Sequence, residues 1–463
     1  MRRNDLFVKY EIENSVYLLP VGQMIADLNR GIKVNETSLF IWEQLKSDIS
    51  LEELLERCYE YFEAENGEEK DRLKEDIPML VQSFRDRGML EGSKNIFKCD
   101  CERCRTGVPP LRPKYLDLSP KDDGDAIILP ENVDELHYGV FMIGGLPVSM
   151  YGDKGYFYES FEKFRIENTL NDYQDGMKIH VFNINDIFND KQKLGYYDSE
   201  YYDIEEISDF SKKTDDNIVN TDSDPTTDRK LKGETIIHNN ELTVWEYPSY
   251  YVLIFNELDG IGELYLSKDG KTAIVFCDCP SEELKENLFY ALRIPFLIYA
   301  LANGRVMLHS CSILYNDKAW AFSAPSGPGK STHCTIWNRL YETPVINGDL
   351  NLIGLKNGEP YVYGTPWCGT SGVFDTEKHR LGGIILLKQG LKNRIDYLST
   401  EQKILLAQQR LVTSVWDKEM LKKTFNIVKQ IVKNIYVRRY YCTMEDEAAQ
   451  ILRDDIEHAE SAV

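Results

Sequence analysis

Along residues 1–92 the hydrophobic positions keep two rhythms in succession. Short apolar runs come first, Phe7–Tyr10, Val16–Leu19 and Met24–Leu28, separated by Asn14-Ser15 and Gly22, and these predict three small strands joined by turns. The spacing then becomes helical. Asn35 is positioned to cap a helix carrying Leu39, Trp42 and Leu45, and Ser50 with Glu53 predicts a capping box ahead of Leu51, Leu54, Leu55, Cys58 and Phe62. A third helix puts Leu73, Ile77, Leu80, Val81 and Phe84 on one face and stops near Gly88, with Pro78 either kinking it or sitting in its first turn. Three strands followed by three helices predict a winged-helix-like β3α3 unit.

The pattern breaks over residues 93–135, a linker rich in Pro, Asp and Lys that contains Cys99, Cys101 and Cys104. Residues 136–240 mix strands and loops with many aromatics, and the polar stretch 205–240 reads as a flexible insertion. Regularity returns over 241–457. Tyr251–Phe255, Gly262–Leu266 and Thr272–Phe276 are strand-like, and a helix opens at Ser281 with Leu284, Leu288, Leu292 and Phe296 on its apolar face, bent at Pro295. Val306–Tyr315 and Lys318–Ser323 are separated only by Asn316-Asp317, which predicts a tight hairpin. The expected class is α/β of mixed type, a small N-terminal unit joined to a larger C-terminal domain.

Candidate chemistry begins where the hairpin ends. Ser326-Gly327-Pro328-Gly329-Lys330-Ser331-Thr332 has the make-up of a phosphate-binding loop: glycines that let backbone N–H groups converge, a lysine for the outer phosphates and a hydroxyl for Mg²⁺. A helix beginning at Thr332 adds positive potential at the same place. Ala324 stands where the strict pattern has glycine. Asp349, at the end of the following apolar run, suits a metal-facing carboxylate, although Asn347-Gly348-Asp349 also has the composition of a turn. His309 lies in the strand before the loop, where a lone histidine is more often structural than functional. The run from Gly364 to Gly372, dense in Gly and hydroxyls, reads equally as the lining of a substrate pocket or as an irregular loop.

Composition narrows the partners. A formal charge of −22 over 463 residues argues against nucleic acid or an anionic membrane, while leaving room for a nucleotide held by one local pocket. The start Met1-Arg2-Arg3 leads into no apolar signal segment, and no apolar run is long enough to span a bilayer, so a cytoplasmic protein is expected. The 10 scattered cysteines fit reduced thiols. Cys99, Cys101 and Cys104 supply three of the four ligands of a structural Zn²⁺ site, with Cys277, Cys279 or a second chain as sources of the fourth; uncommitted thiols are the competing reading and the favoured one.

The phosphate loop entered from a hairpin, with His309 on the preceding strand, resembles the HPr kinase/phosphorylase family and its relatives with the phosphoenolpyruvate-carboxykinase-like fold, in particular kinases of ribosomally made peptides such as lasso-peptide precursors. The resemblance runs from about Leu242 to Ile456. It implies ATP and Mg²⁺ as cofactors, Ser326 to Thr332 around the phosphates, Ser331 and Asp349 on the metal, and His309, Lys330 and Asp349 as catalytic residues. The family carries two adjacent aspartates where this chain has Gly348-Asp349, which leaves the general base open.

The N-terminal unit resembles the PqqD-like peptide-recognition family, through Leu18-Leu19-Pro20, Leu28-Asn29, Asn35-Glu36-Thr37 to Ile41-Trp42, Ser50 to Leu54, and Asp76-Ile77 to Gly88-Met89-Leu90. That resemblance implies a precursor-peptide leader as partner, added as a strand beside the edge Met24 to Leu28 and the helix Asp76 to Phe84. Together they predict a kinase that phosphorylates a Ser or Thr hydroxyl of a ribosomally synthesised precursor peptide. A kinase of another protein or of a small hydroxy amino acid, and a non-catalytic nucleotide-binding chaperone, are the alternatives. A homo-oligomer is compatible with all of them.

Overall fold

A computed structural model describes residues 1–4, 6–13, 15–20, 32–64, 66–91, 136–167, 175–183, 234–238, 241–247, 249–324, 329–412 and 416–461. The protein is of mixed α/β type, with helices prominent in the N-terminal region and large mixed sheets in the C-terminal part. It divides into two compact units. One comprises Met1–Arg105, Tyr397–Gln409 and Val415–Lys433; the other comprises Thr106–Asp396, Arg410–Ser414 and Asn434–Val463.

In the first unit, β1 (Phe7–Ile12), β2 (Ser15–Pro20) and β3 (Ile32–Val34) form an antiparallel sheet in chain order, followed by α1 (Glu36–Gln44), α2 (Leu51–Tyr61) and α3 (Gly67–Asp86). The third strand therefore comes later than expected, and Met24–Leu28 falls outside the described residues. The Asn35 side chain accepts from Ser38 N at 2.9 Å and that of Ser50 from Glu53 N at 3.0 Å, so both predicted caps form. The box at Ser50 stays half made, because the Glu53 carboxylate turns to Arg57 one turn on, at 2.6 Å. Pro78 lies inside α3, which runs through it.

Strand register puts Phe7, Leu18 and Val34 with Trp42, Leu54, Ile77 and Phe84 in one core. Val8, Ile12, Tyr17 and Leu19 are buried as well, although they point to the opposite face. Helices Thr400–Gln408 and Lys418–Lys433 cover that face. The Tyr10 ring packs on Phe425 with centroids 4.6 Å apart and its hydroxyl donates to Asn426 Oδ1 at 3.0 Å, while the Tyr17 hydroxyl donates to Glu401. A sheet covered on both faces needs apolar residues in succession, which is what Val16–Leu19 supply.

The second unit is built on two mixed sheets. Nine described strands between His137 and Cys277 form one, in which Met177–Asn183 pairs in parallel with both Leu146–Tyr151 and Thr272–Cys277. Glu234–His238, within the stretch expected to be an insertion, is its edge strand beside Leu242–Glu246. The helix expected to bend at Pro295 is two helices, Glu282–Ala291 and Arg293–Ala302, meeting at Leu292. Pro295 then occupies the first turn of the second helix, where a backbone N–H has no intrahelical partner to lose.

Ten strands form the other sheet. The run Val306–Tyr315 does not make one hairpin arm, as its apolar continuity suggests, but divides at Ser310. Arg305–His309 pairs with Leu350–Lys356 and Leu411–Val412, whereas Cys311–Tyr315 pairs with Lys318–Ser323 and Val345–Asn347. The expected tight turn is present, with Asn316 and Asp317 both at positive φ, 50° and 56°. The division has a polar anchor: buried Asn351 donates to the Ser310 carbonyl at 2.5 Å and accepts from the Ser312 hydroxyl at 2.5 Å. Continuing the strand through Ser310 leaves those buried groups unpaired, which costs more than one lost ladder bond.

Candidate functional site

Residues Ser326, Gly327 and Pro328 lie outside the described residues, as do Cys99, Cys101 and Cys104. The described part of the loop starts at Gly329, in the left-handed region at φ 83°, and the helix begins one residue later, at Lys330 rather than Thr332. Lys330, Ser331 and Thr332 are thus its first turn, where unpaired N–H groups and the helix dipole favour an anion. Strand Lys318–Ser323 leads into this turn, so the loop region joins the C-terminal end of a strand to a helix N-terminus.

Three separated segments bring their side chains together here. Lys330 Nζ lies 2.9 Å from His309 Nε2, and the same ring nitrogen lies 3.2 Å from Asp349 Oδ1. One nitrogen serves two neighbours: with the proton on Nε2 it donates to Asp349, and in the other tautomer it accepts from Lys330. The hydrogen bond from His309 is the main influence holding the Asp349 carboxyl below its ordinary range; burial opposes it, and the charges of His309, Lys330 and Arg293 assist. Burial holds the Lys330 ammonium below the usual lysine value, opposed by Asp349 and reinforced by Arg410.

The backbone around this trio is fixed by short contacts. His309 N donates to Arg410 O at 2.9 Å, Ser310 N to Asp349 O at 2.8 Å, and Ser323 Oγ to His309 O at 2.7 Å. Buried Asn347 takes both the Asp349 and the Leu350 backbone N–H on its Oδ1, each at 2.9 Å, so the Asn-Gly-Asp segment is a side-chain-braced turn that presents Asp349. Turn and carboxylate are therefore the same feature. Gly348 is required by close approach: a Cβ there meets Ser371 Oγ at 2.1 Å. With Ser371 as placed, an aspartate at position 348 would have to displace it.

A cavity of about 260 Å³ opens on the other side of Asp349. Pro366, Trp367, Cys368, Gly369 and Gly372 contribute to its lining, so the run from Gly364 to Gly372 does face a cavity. Phe289 and Phe374 add aromatic walls, and Arg293 supplies a half-buried guanidinium with its Nε buried. Arg293, Arg410, Phe289 and Phe374 are missing from the motif-based list, and Asn347 was read only as part of a turn. The others lie in no recognisable local pattern, and only the apolar helix ahead of Arg293 hinted at a packed position. Cys277 is buried and Cys279 exposed, and no group of three His, Cys, Asp or Glu among the described residues is arranged to hold a metal ion. No helix among them is long and apolar enough to cross a membrane.

Comparison with known proteins adds two findings. The family model "Coenzyme PQQ synthesis protein D (PqqD)" matches residues 18–90, which places a PqqD domain in the first unit. Among solved structures, the Hpr(Ser) kinase/phosphatase from Coxiella burnetii is similar over 33% of this chain and 98% of its own, with 9% sequence identity and a TM-score of 0.21. A likeness of that size carries no weight for the fold. No curated protein matches this chain.

Proposed function

We propose that this protein is an ATP- and Mg²⁺-dependent kinase that transfers a phosphoryl group to a Ser or Thr hydroxyl of a ribosomally synthesised precursor peptide. The observation that carries the reading is the convergence of Lys330, His309 and Asp349 at the N-terminal end of a helix. Phosphoryl transfer asks a protein chiefly to neutralise charge and to position groups, and this trio supplies a cation, a carboxylate and a proton-carrying ring within hydrogen-bond reach.

The residues present suit the nucleotide. Lys330 and Arg410 are cations held partly out of water, and the Arg410 Nε is buried without a partner, so an anion near them relieves a desolvation cost. Ser331 and Asp349 would hold Mg²⁺, which supplies charge neutralisation when bound. With Gly348 in place of an acidic residue, Asp349 is the candidate to take the acceptor's proton on its carboxylate, and His309, donating from Nε2 to Asp349 Oδ1, orients that carboxylate. The phosphoenolpyruvate-carboxykinase-like architecture belongs to the same proposal.

The PqqD domain supports a peptide partner, and we assign leader recognition to it, with the leader adding as a strand beside the sheet edge at β3 and α3 residues Asp76 to Phe84, in place of the edge Met24–Leu28 expected from the sequence. Capture of the leader raises the effective concentration of the peptide core at the transfer site. The test is the intact mass of peptides encoded beside this gene after incubation with the full chain and Mg-ATP. A gain of one phosphoryl group that disappears with Lys330→Ala, and that falls when the leader is cut from the peptide, supports the reading. Nucleotide binding without product on any such peptide favours the non-catalytic chaperone, a reading that Gly348 keeps in view.

A further inference from the structure

Arg293 opens helix Arg293–Ala302 and lines the cavity beside Asp349. Its Nε is buried without a hydrogen-bond partner, and among the described residues its guanidinium forms no ion pair. Asp349 and, more weakly, Glu241 attract it from beyond contact distance, and the Asp349 Oδ1 is already engaged by His309. Glu286, the remaining charged residue of the lining, is exposed on the preceding helix and keeps its water. A half-buried guanidinium whose buried Nε has no acceptor and whose opposite charges act only from beyond contact distance is costly, and it marks where an acceptor group of a ligand is missing.

The cavity itself narrows what that ligand is. At about 260 Å³ it lies near the lower end of the roughly 300–1,000 Å³ of ligand pockets, a size that suits one or two residues of a longer acceptor. Asp349 borders both the cavity and the Lys330 side, whereas Lys330, His309 and Arg410 do not line the cavity. The phosphoryl donor belongs with Lys330, which leaves the cavity to the acceptor. Aromatic walls from Phe289, Trp367 and Phe374 suit a flat or apolar neighbour, and a guanidinium fork suits a planar carboxylate held by two hydrogen bonds.

We propose that this cavity is the acceptor subsite and that Arg293 selects an acceptor carrying a carboxylate next to the hydroxyl to be modified. The assignment of the cavity to the acceptor rests on the transfer reading; the carboxylate preference does not. Two sources supply such a group, an acidic side chain beside the hydroxyl residue or a free chain terminus at it.

Binding to the full chain, followed by calorimetry without nucleotide, tests the preference apart from transfer. The probes are N-acetyl-Phe-Ser with a free terminus, N-acetyl-Asp-Ser amide, and N-acetyl-Phe-Ser amide as the uncharged control. At least one carboxylate probe is expected to bind about ten-fold or more tightly than the control, and the stronger of the two identifies the source. Arg293→Gln is expected to abolish the difference, and Arg293→Lys, which keeps the charge without the fork, to retain part of it. Equal binding of all probes, a preference that survives in Arg293→Gln, or no binding of any probe overturns the proposal. Thermal unfolding of both variants separates loss of the site from loss of the fold. Should the preference hold while no peptide is phosphorylated, the transfer reading fails and the Arg293 subsite stands.

Discussion

His309 Nε2 and Asp349 Oδ1 stand 3.2 Å apart because their strands pair: His309 is in register with Leu350, the residue after Asp349. Ser310 N donates to the Asp349 carbonyl at 2.8 Å, which ties the two chain segments at the point where both leave the ladder. Lys330 completes the group from a helix on the far side of the loop. The Lys330 ammonium sits partly desolvated, next to a ring nitrogen that Asp349 also claims.

Replacing Lys330 separates function from stability. Its ammonium is held below the ordinary lysine value mainly by burial, so the folded state binds a proton less readily than the unfolded chain. Between the folded and unfolded values stability rises with pH, and at neutral pH the charge is a cost. Lys330→Met is therefore expected to lower phosphoryl transfer by about 100-fold or more while leaving the thermal midpoint unchanged or higher. Kinetics and thermal unfolding on one preparation check both halves; a clear fall in the midpoint contradicts the electrostatic account.

His333, on the same helix, predicts acid sensitivity. Burial among Phe322, at 5.0 Å between ring centroids, and Tyr440, at 6.0 Å, holds its imidazole at about 4, against an ordinary 6.5. A depressed histidine favours the folded state fully above pH 6.5, and the advantage is lost as pH falls toward 4 because the unfolded chain takes up the proton first. The full loss is on the order of 3 kcal/mol. Burial likewise holds His180 at about 3, and its ring contributes in the same direction. Urea midpoints measured across this pH range are expected to fall in wild type and to fall less in His333→Phe.

Gly348 and Ser371 are expected to be coupled. A methyl group at position 348 meets Ser371 Oγ at 2.1 Å and Cβ at 2.5 Å, and the Ser371 hydroxyl is itself bonded to the Cys368 carbonyl at 2.7 Å. Gly348→Ala alone should displace the turn that carries Asp349 and reduce transfer by about ten-fold or more, since small misplacements at a reacting centre are costly. Gly348→Ala combined with Ser371→Gly should recover part of the activity. Equal loss in the single and double variants places the strain elsewhere.

Removing residues 1–92 should not yield a well-behaved chain. The helix Lys418–Lys433 buries Leu421, Phe425, Val428, Ile431 and Val432 within the first unit, and Phe425 rests on Tyr10. Cutting away the three-stranded sheet uncovers that apolar face, which favours aggregation. The truncated chain is expected to be poorly soluble, whereas Tyr17→Ala, at a cost of about 3 kcal/mol or more, should loosen the unit without uncovering it. Size-exclusion chromatography distinguishes the two; a monomeric, cooperatively folded truncation runs against this account.

Much of the protein was legible locally. Alternation and helical spacing located the three-strand, three-helix order, the caps at Asn35 and Ser50 and the turn at Asn316-Asp317, because each depends on backbone chemistry within a few residues. The motif around Lys330, and Asp349 after the next apolar run, were likewise visible from residue type and spacing. Tertiary structure decided what sequence distance hides. The break at Ser310 depends on Asn351 from another strand, the third strand at Ile32–Val34 on pairing with β2, and the burial of Val8, Ile12, Tyr17 and Leu19 on helices more than 350 residues along the chain. Arg293, Phe289 and Phe374 carry little local signal, since a cation without a hydrogen-bond partner becomes meaningful only when folding removes its water. Local propensity, then, set the elements of this protein and the residue types from which a phosphate loop is proposed. Long-range packing set which faces are covered and which buried polar groups are left without hydrogen-bond partners.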